Sequence, residues 1–219
     1  MQANYVQRIR LIFGKSGYAR FIGHLDLART LERAINRARI PVAYTQGFNK
    51  RPRMQLADAL PLGFTSECEI VDLWLSERVE LQAVEIRLAA AFPSGLDLHT
   101  VNEVDISETA LQNQTVEATY KVTPGENMES RELQSRIAAL LSLPSIPRER
   151  RGKTYDLRPR LFSLSVSHSD DGQSEITMIL SLAPGEVGRP DEVLDSLDLD
   201  PLSALVHRTQ IVLANDSTP

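Results

Sequence analysis

The stretch HLDLARTLERAINRAR, residues 24–39, carries the clearest secondary-structure signal in this chain of 219 residues. Apolar residues recur there at steps of three and four, the period of an amphipathic helix with one buried face. They are Leu25, Ala28, Leu31, Ile35 and Ala38. Asp26 lies in the first turn, where a carboxylate stabilises the positive end of the helix dipole. Pro41 follows and cannot continue a helix. We therefore predict a helix over residues 24–39.

Strand-like segments surround this helix. Residues 6–13 alternate, which places Arg8 and Arg10 on one side of a strand and a predicted core set on the other. That core set is Gln7, Ile9, Leu11 and Phe13. The remaining predicted elements of the first half are extended pieces over 18–22 and 42–45, a strand over 69–75, a helix over 80–92 and a strand over 96–106. This order is β-α-β-β-α-β, the ferredoxin-like pattern.

The second half repeats the order of elements. The predicted elements are a strand over 116–122, a helix over 130–143, a hairpin of 153–167 with 174–183 around Asp171-Gly172, a helix over 190–197 and a strand over 205–213. We predict an α+β protein with two tandem ferredoxin-like units and antiparallel sheets. The first unit spans 1–106 and includes a basic loop, the second spans 115–214, and 215–219 form a disordered tail.

Charge is separated along the chain. The first sixty residues hold eleven Lys and Arg against three acids, a net charge of +8, although the whole chain carries −5. The nets of residues 61–145, 146–160 and 161–219 are −9, +4 and −8. Two basic segments in an acidic chain suggest an anion-binding surface. The alternative is that the basic segments pair internally with the acidic ones.

Three groups of residues are candidates for nucleic-acid binding. Arg29, Arg33 and Arg37 repeat every four residues on the predicted helix, where like charges repel unless an anion binds. Basic side chains around an exposed aromatic ring suit a phosphate backbone with a stacked base. The loop supplies such a set in Phe48, Asn49, Lys50, Arg51 and Arg53, and a second basic cluster follows in Arg148, Arg150, Arg151 and Lys153. The alternatives are a solvated helix face, a Phe48 that fills the core, and a disordered second loop.

The sequence patterns that could indicate catalysis or metal binding are weaker than those for nucleic-acid binding. His24 opens the first helix and is a candidate acid or base for RNA cleavage, with Tyr18, Lys15 or Tyr44 as the second group. A structural or capping role for His24 is the alternative. The other histidines have no metal-ligand spacing, and the single cysteine, Cys68, excludes an internal disulfide or a cysteine zinc site from this chain alone. We expect no cofactor and favour a role other than catalysis.

No signal peptide is recognisable, and no apolar run approaches the roughly 18 residues that a membrane span needs. We therefore expect a cytoplasmic protein without membrane association.

Several motifs resemble those of a known family. They are RFIGHLDLAR (20–29), PVAYTQGFN (41–49) with Pro52-Arg53, ALPLG (59–63) with Ser66 and Glu69, YDLRP (155–159) and GRPDEVL (188–194). Together they are similar to the radical SAM-linked proteins, a domain of unknown function fused to or encoded beside radical SAM proteins, often near ribonuclease E/G genes. The resemblance implies a radical SAM partner.

Two features qualify what the resemblance implies. Lys50-Arg51 stands where the family often has Pro-His, so a histidine that could be catalytic in relatives is missing here. The chain also lacks the Cys-x3-Cys-x2-Cys cluster of radical SAM enzymes, so it is not the radical enzyme itself. The order of elements and the basic loops further resemble the RNA-processing proteins of CRISPR systems, which is an analogy of fold.

Three functions follow as expectations. The first is an RNA-binding accessory domain that works with a radical SAM protein in RNA modification or processing. The second is a metal-independent endoribonuclease that uses His24. The third is a protein-interaction domain that docks a radical SAM partner without nucleic acid, with Phe48, Pro52 and Leu62 as apolar anchors.

Overall fold

The computed structural model describes residues 5–46, 48–125, 128–168 and 173–217. It shows an α+β protein of two compact units, Met1–Gln114 and Thr115–Pro219. The helices are His24–Arg37 (α1), Leu81–Ala91 (α2), Ser130–Ser142 (α3) and Pro190–Ser196 (α4). The strands are Gln7–Lys15 (β1), Met54–Leu56 (β2), Thr65–Leu75 (β3), Leu96–Val104 (β4), Thr115–Thr123 (β5), Pro147–Arg150 (β6), Lys153–Asp156 (β7), Leu161–His168 (β8), Ser174–Ser181 (β9) and Leu205–Leu213 (β10). None of the helices described is long and apolar enough to cross a membrane.

The sheet of the first unit is antiparallel and has the strand order β4-β1-β3-β2. Ile9 of β1 faces Leu73 of β3 on one side and Glu103 of β4 on the other. The predicted core positions of β1 are confirmed, because Ile9, Leu11 and Phe13 are all buried. They pack in one core cluster with apolar side chains of α1 and α2.

The two helices of this unit cap each other at their carboxyl ends. Arg37 of α1 donates a hydrogen bond to the Ala91 carbonyl, the last of α2. Arg87 of α2 donates in return to the carbonyls of Ala38 and Arg39, just beyond α1. A cation at a helix C-terminus satisfies free carbonyls and complements the helix dipole.

One side of β1 departs from the prediction. Arg8 and Arg10 were expected on the polar side of the strand, yet Arg8 is buried and Arg10 nearly so. Both guanidinium groups bind the buried carboxylate of Asp72 on β3, with nitrogen–oxygen distances of 2.5 Å for Arg8 and 2.8 Å for Arg10. Arg10 also contacts Glu108 at 3.1 Å. These two cations are therefore paired internally.

Two predicted extended pieces of the first unit take other conformations. Residues 18–22 are not extended, because a 3₁₀ helix covers Gly17–Phe21 and begins at a positive φ of 52° that glycine tolerates. Residues 42–45 make only isolated bridges, Val42 with Leu75 and Tyr44 with Pro52. The chain leaves the edge of β3 at Ala43, so no longer ladder forms.

The sheet of the second unit is antiparallel, with the order β10-β5-β9-β8. The strand predicted over 153–167 is interrupted by a 3₁₀ helix at Arg158–Arg160, since Pro159 cannot donate to a ladder. The predicted turn at Asp171-Gly172 lies outside the described residues. A 3₁₀ helix at Ala214–Ser217 occupies most of the predicted disordered tail, and the last two residues also lie outside the described part.

Candidate nucleic-acid interface

The three predicted arginines of α1 are all exposed, but Arg37 is bonded to the end of α2. Leu27, Leu31 and Ile35 are buried on the opposite face, so the helix period directs Arg29 and Arg33 to solvent. Arg29 forms an exposed ion pair with Asp26 at 3.1 Å, which contributes little to stability. Arg33 is exposed and forms no hydrogen bond or ion pair with any described residue.

Two side-chain contacts hold the loop at residues 44–51 beside α1. The Tyr44 hydroxyl donates to Asn36 Oδ1 at 3.3 Å. Arg51 Nε lies 3.3 Å from Glu32 Oε1. Glu32 and Asn36 are one helical turn apart, so both contacts fall along one edge of the helix next to its exposed arginines. The predicted basic residues of α1 and of the loop are thereby brought together on one surface.

The tip of this loop presents an aromatic ring to solvent. Phe48 is fully exposed, with a relative accessibility of 110%. The alternative in which Phe48 fills the core is therefore wrong. Asn49 and Lys50 are exposed as well, and neither has a polar partner within the described part of the chain. A free ring beside an unpaired ammonium group can stack a nucleobase while the cation binds a phosphate. We call Arg29, Arg33, Phe48, Lys50 and Arg51 the loop–helix surface.

Two predicted residues have structural roles instead. Arg37 is engaged by the end of α2 as described above. Arg53 lies over the rings of Tyr5 and Trp74, with its guanidinium carbon 4.5 and 5.1 Å from their centroids. Cation–π contacts of this kind stabilise the fold and leave the guanidinium face covered. Pro52, the proposed apolar anchor, is buried.

The second basic cluster forms a hairpin, β6–β7. Its two-residue turn, Arg151-Gly152, has positive φ angles of 51° and 74°, which twist the strands correctly. The alternative of a disordered loop does not hold for these residues. Arg150, Arg151 and Lys153 make no described polar contact through their side chains.

Arg148 behaves differently from the rest of the hairpin. It pairs with Glu192, at 2.7 Å from its Nε, and with Asp195 of α4. The hydrogen bonds that Arg148 donates to Asp195 and Glu192 raise the pKa of its guanidinium. At the hairpin base, main-chain donors of Ile146 and Arg158 lower the pKa of the Asp156 carboxyl. Arg148 thus anchors the hairpin and is a poor candidate for a ligand contact.

His24 is exposed as the first residue of α1 and has no hydrogen bond to another described residue. Of its proposed partners, Tyr44 is bonded to Asn36, and the Lys15 ammonium is buried near the Arg20 carbonyl. Neither of these two groups is hydrogen-bonded to His24 in the described part of the chain. Likewise, the described chain brings no three His, Cys, Asp or Glu side chains together as metal ligands.

Sequence reasoning named only Leu62 as an apolar anchor from an exposed apolar group near the start of α1, and it wrongly placed Leu25 on the buried side of the helix. Tyr18 is 92% exposed, and Phe21, Leu25 and Leu62 are also largely exposed. The Gly63 amide donates to the Arg20 carbonyl at 2.9 Å, which places Leu62 next to the 3₁₀ helix that carries Tyr18 and Phe21. The motif at residues 20–29 contains two of these residues, but their exposure depends on the 3₁₀ turn.

Comparisons with known proteins identify a family but no activity. One solved structure, described as a "putative glycine cleavage system transcriptional repressor", matches with a TM-score of 0.27 and 10% identity over 94% of this chain and 98% of its own. No curated protein matches the chain. The model of an uncharacterized protein family conserved in bacteria, DUF2344, matches residues 8–190. That span contains every candidate residue described above, and the chain belongs to this family.

Proposed function

We propose that the chain is an RNA-binding accessory protein that uses the loop–helix surface and works with a radical SAM protein. The single observation that carries this proposal is the fully exposed ring of Phe48, two residues from Lys50, a cation that no described acid neutralises. Exposing a large ring to water is unfavourable, and an unpaired cation next to it is suited to a ligand with both a flat apolar group and negative charge. Single-stranded RNA has both.

The strand orders allow a finer description of the fold and locate the candidate surfaces within it. We infer two tandem ferredoxin-like units, since each unit places its first strand centrally, in the orders β4-β1-β3-β2 and β10-β5-β9-β8. In the first unit the loop–helix surface is built from the helix after the first strand and the connection that follows it. In the second unit the predicted basic cluster is on the added hairpin β6–β7, which carries the exposed Arg151 and Lys153.

The radical SAM partner rests on the motifs at residues 20–29, 41–49 and 188–194, which resemble radical SAM-linked proteins. The chain has one cysteine and cannot supply a three-cysteine cluster. We therefore place the radical chemistry in the partner and RNA binding in this chain.

The double variant Arg33→Ala/Lys50→Ala tests the proposal. Removing two phosphate contacts should weaken binding to a single-stranded RNA and lower the slope of log K against log salt by about 1 to 2. Fluorescence anisotropy between about 50 and 200 mM salt measures both quantities. The matched control is Lys121→Ala/Arg131→Ala, which removes the same charge from exposed positions of the second unit. An unchanged affinity and slope in a folded double variant would refute the proposal.

The length and the ends of the RNA in the same samples distinguish binding from cleavage. A metal-independent nuclease would shorten the RNA in the presence of a chelator and leave 2′,3′-cyclic phosphate ends, and His24→Ala would abolish this. Intact RNA after incubation supports the accessory role.

A specific observation also favours protein docking as a second candidate function. Tyr18, Phe21, Leu25 and Leu62 form an exposed apolar group of the kind that anchors protein partners. This role is compatible with RNA binding at the loop–helix surface. Retention of the co-encoded radical SAM protein after nuclease treatment, lost in Tyr18→Ser/Phe21→Ser, would support it.

A further inference from the structure

A pocket of about 430 Å³ lies beside the loop–helix surface, within the first unit. It is lined by Val42, Ala43, Tyr44, Thr45, Gln46, Lys50 and Ser76. The pocket forms where the chain leaves the edge of β3. There the Ala43 amide donates to the Trp74 carbonyl at 2.6 Å, whereas the Ala43 carbonyl accepts from Arg53 at 2.7 Å. The two neighbouring segments separate at this point and leave a space between them.

Unused polar groups concentrate in the wall of this pocket. The main-chain N–H and C=O of Tyr44, the side-chain amide of Gln46 and the ammonium of Lys50 have no hydrogen-bond partner among the described residues. The hydroxyl of Ser76 already donates to the Pro41 carbonyl at 3.0 Å. The pocket therefore offers donors, acceptors and one positive charge, with Ala43 and Val42 as apolar floor.

Resting on the proposed function, we propose that this pocket holds one unpaired nucleobase of a single-stranded RNA segment. Its volume lies within the range of roughly 300–1,000 Å³ that small-molecule sites occupy. The unused groups of Tyr44 and Gln46 can pair with the edge of a base. Lys50 lines the pocket and is two residues from Phe48, so it can bind the phosphate that joins the pocketed base to a neighbour stacked on Phe48.

The shape of the pocket selects against duplex RNA. A base in a helix is stacked and paired, and it must be unstacked before it can enter a pocket. The paired edges are also unavailable to the free groups of Tyr44. Loops, bulges and single-stranded ends present such bases without this cost. The cations of the loop–helix surface would still bind the phosphates of a duplex. The affinity should be lower than for a single strand, because no base of the duplex occupies the pocket.

A peptide that adds a strand is a less suitable occupant. Strand addition requires a row of unpaired main-chain groups along an exposed edge. In this segment Ala43 and Thr45 already use their amide groups, with Trp74 and Arg51 respectively. Among the described residues this leaves Tyr44 and the adjacent alternate position Gln46, a row too short for a full added strand. An exposed lysine at the rim likewise suits a phosphate better than a neutral backbone.

Filling the pocket tests the inference. Ser76 is exposed at the rim, so Ser76→Phe should place a ring in the pocket, whereas Ser76→Ala removes the same hydroxyl without filling it. We expect the wild type and Ser76→Ala to bind a single-stranded RNA more tightly than a blunt duplex of the same sequence. Ser76→Phe should lose about 5- to 150-fold for the single strand, the value of one bound base, with no change for the duplex. Anisotropy measures both affinities, and Trp74 fluorescence checks folding.

The outcomes distinguish the two proposals. Equal affinity of wild type for single strand and duplex, or unchanged single-strand binding in a folded Ser76→Phe variant, overturns the pocket inference while RNA binding stands. No binding to either RNA overturns the proposed function itself. If Ser76→Phe abolishes capture of the co-encoded radical SAM protein in nuclease-treated extract but leaves RNA affinity unchanged, the pocket takes a peptide and the inference is again overturned.

Discussion

Replacing Asp72 with alanine should destabilise the first unit by about 3–5 kcal/mol, the typical cost of breaking a buried ion pair by removing one partner. The Asp72 carboxylate has no exposure and accepts hydrogen bonds from both Arg8 and Arg10. Without it, the fully buried Arg8 guanidinium keeps the carbonyls of Glu108 and Thr109, at 2.7 and 3.1 Å, and its contact with the Trp74 ring, but no ion-pair partner among the described residues. Carbonyl dipoles do not neutralise a buried charge, so the variant should lose much of its folding stability.

Urea unfolding followed by Trp74 fluorescence measures this loss. Trp74 is the sole tryptophan and is buried on β3, with the Arg8 guanidinium carbon 4.6 Å from its ring centroid. The matched control is Asp97→Ala on β4, an exposed acid whose removal should change stability by no more than about 0.5 kcal/mol. A loss below about 1 kcal/mol in Asp72→Ala would show that the network contributes little to the fold.

This network also shows why part of the fold could not be predicted. The alternation of β1 correctly predicted Ile9, Leu11 and Phe13 as core, because period 2 is a local property of the strand. Arg8 can be buried only because it pairs with Asp72. That residue is 64 positions away in the sequence and becomes adjacent through the pairing of β1 with β3. No local pattern indicates that pairing, so the default assignment of an arginine to solvent was wrong.

Net charge along the sequence does not show which cations are already paired in the fold. The basic first sixty residues suggested one anion-binding surface, yet Arg8 and Arg10 are balanced inside the unit, and Arg37 caps a helix. Net charge counts cations without showing which acid or carbonyl each one meets. A smaller group of cations on α1 and the loop remains available to a ligand. In it Arg33 and Lys50 have no acidic partner among the described residues.

The exposed residues of α1 and the loop tip were predictable, but their arrangement and the pocket beside them were not. The four-residue spacing of Arg29 and Arg33 correctly predicted a shared helix face, since the period of α1 was clear. The contact of Tyr44 with Asn36, which holds the loop against that face, joins segments with no sequence signal for pairing. The pocket beside it arises because the chain leaves β3 at Ala43, a departure that alternation cannot reveal.

Replacing Phe48 with alanine should weaken binding to single-stranded RNA by about 5- to 150-fold, the typical value of one stacked base at roughly 1–3 kcal/mol. The ring is fully exposed and packs against no described side chain, so the folding stability should stay within about 0.5 kcal/mol of the wild type. The salt dependence should not change either, since a neutral ring releases no counterions. Anisotropy at several salt concentrations, with urea unfolding alongside, measures all three quantities.

Two further variants make this result specific to stacking at the loop tip. Phe48→Trp keeps a flat ring and should retain or improve affinity, whereas Phe48→Leu keeps apolar surface without a π face and should bind nearly as weakly as alanine. Phe162→Ala removes another exposed phenylalanine, on β8 of the second unit, and should leave RNA affinity unchanged. If Phe48→Leu binds as well as the wild type, the residue acts through apolar contact, which favours a protein partner. A loss that is equal in Phe162→Ala would show that no particular ring is recognised, because stacking at one site cannot depend on an unrelated exposed ring.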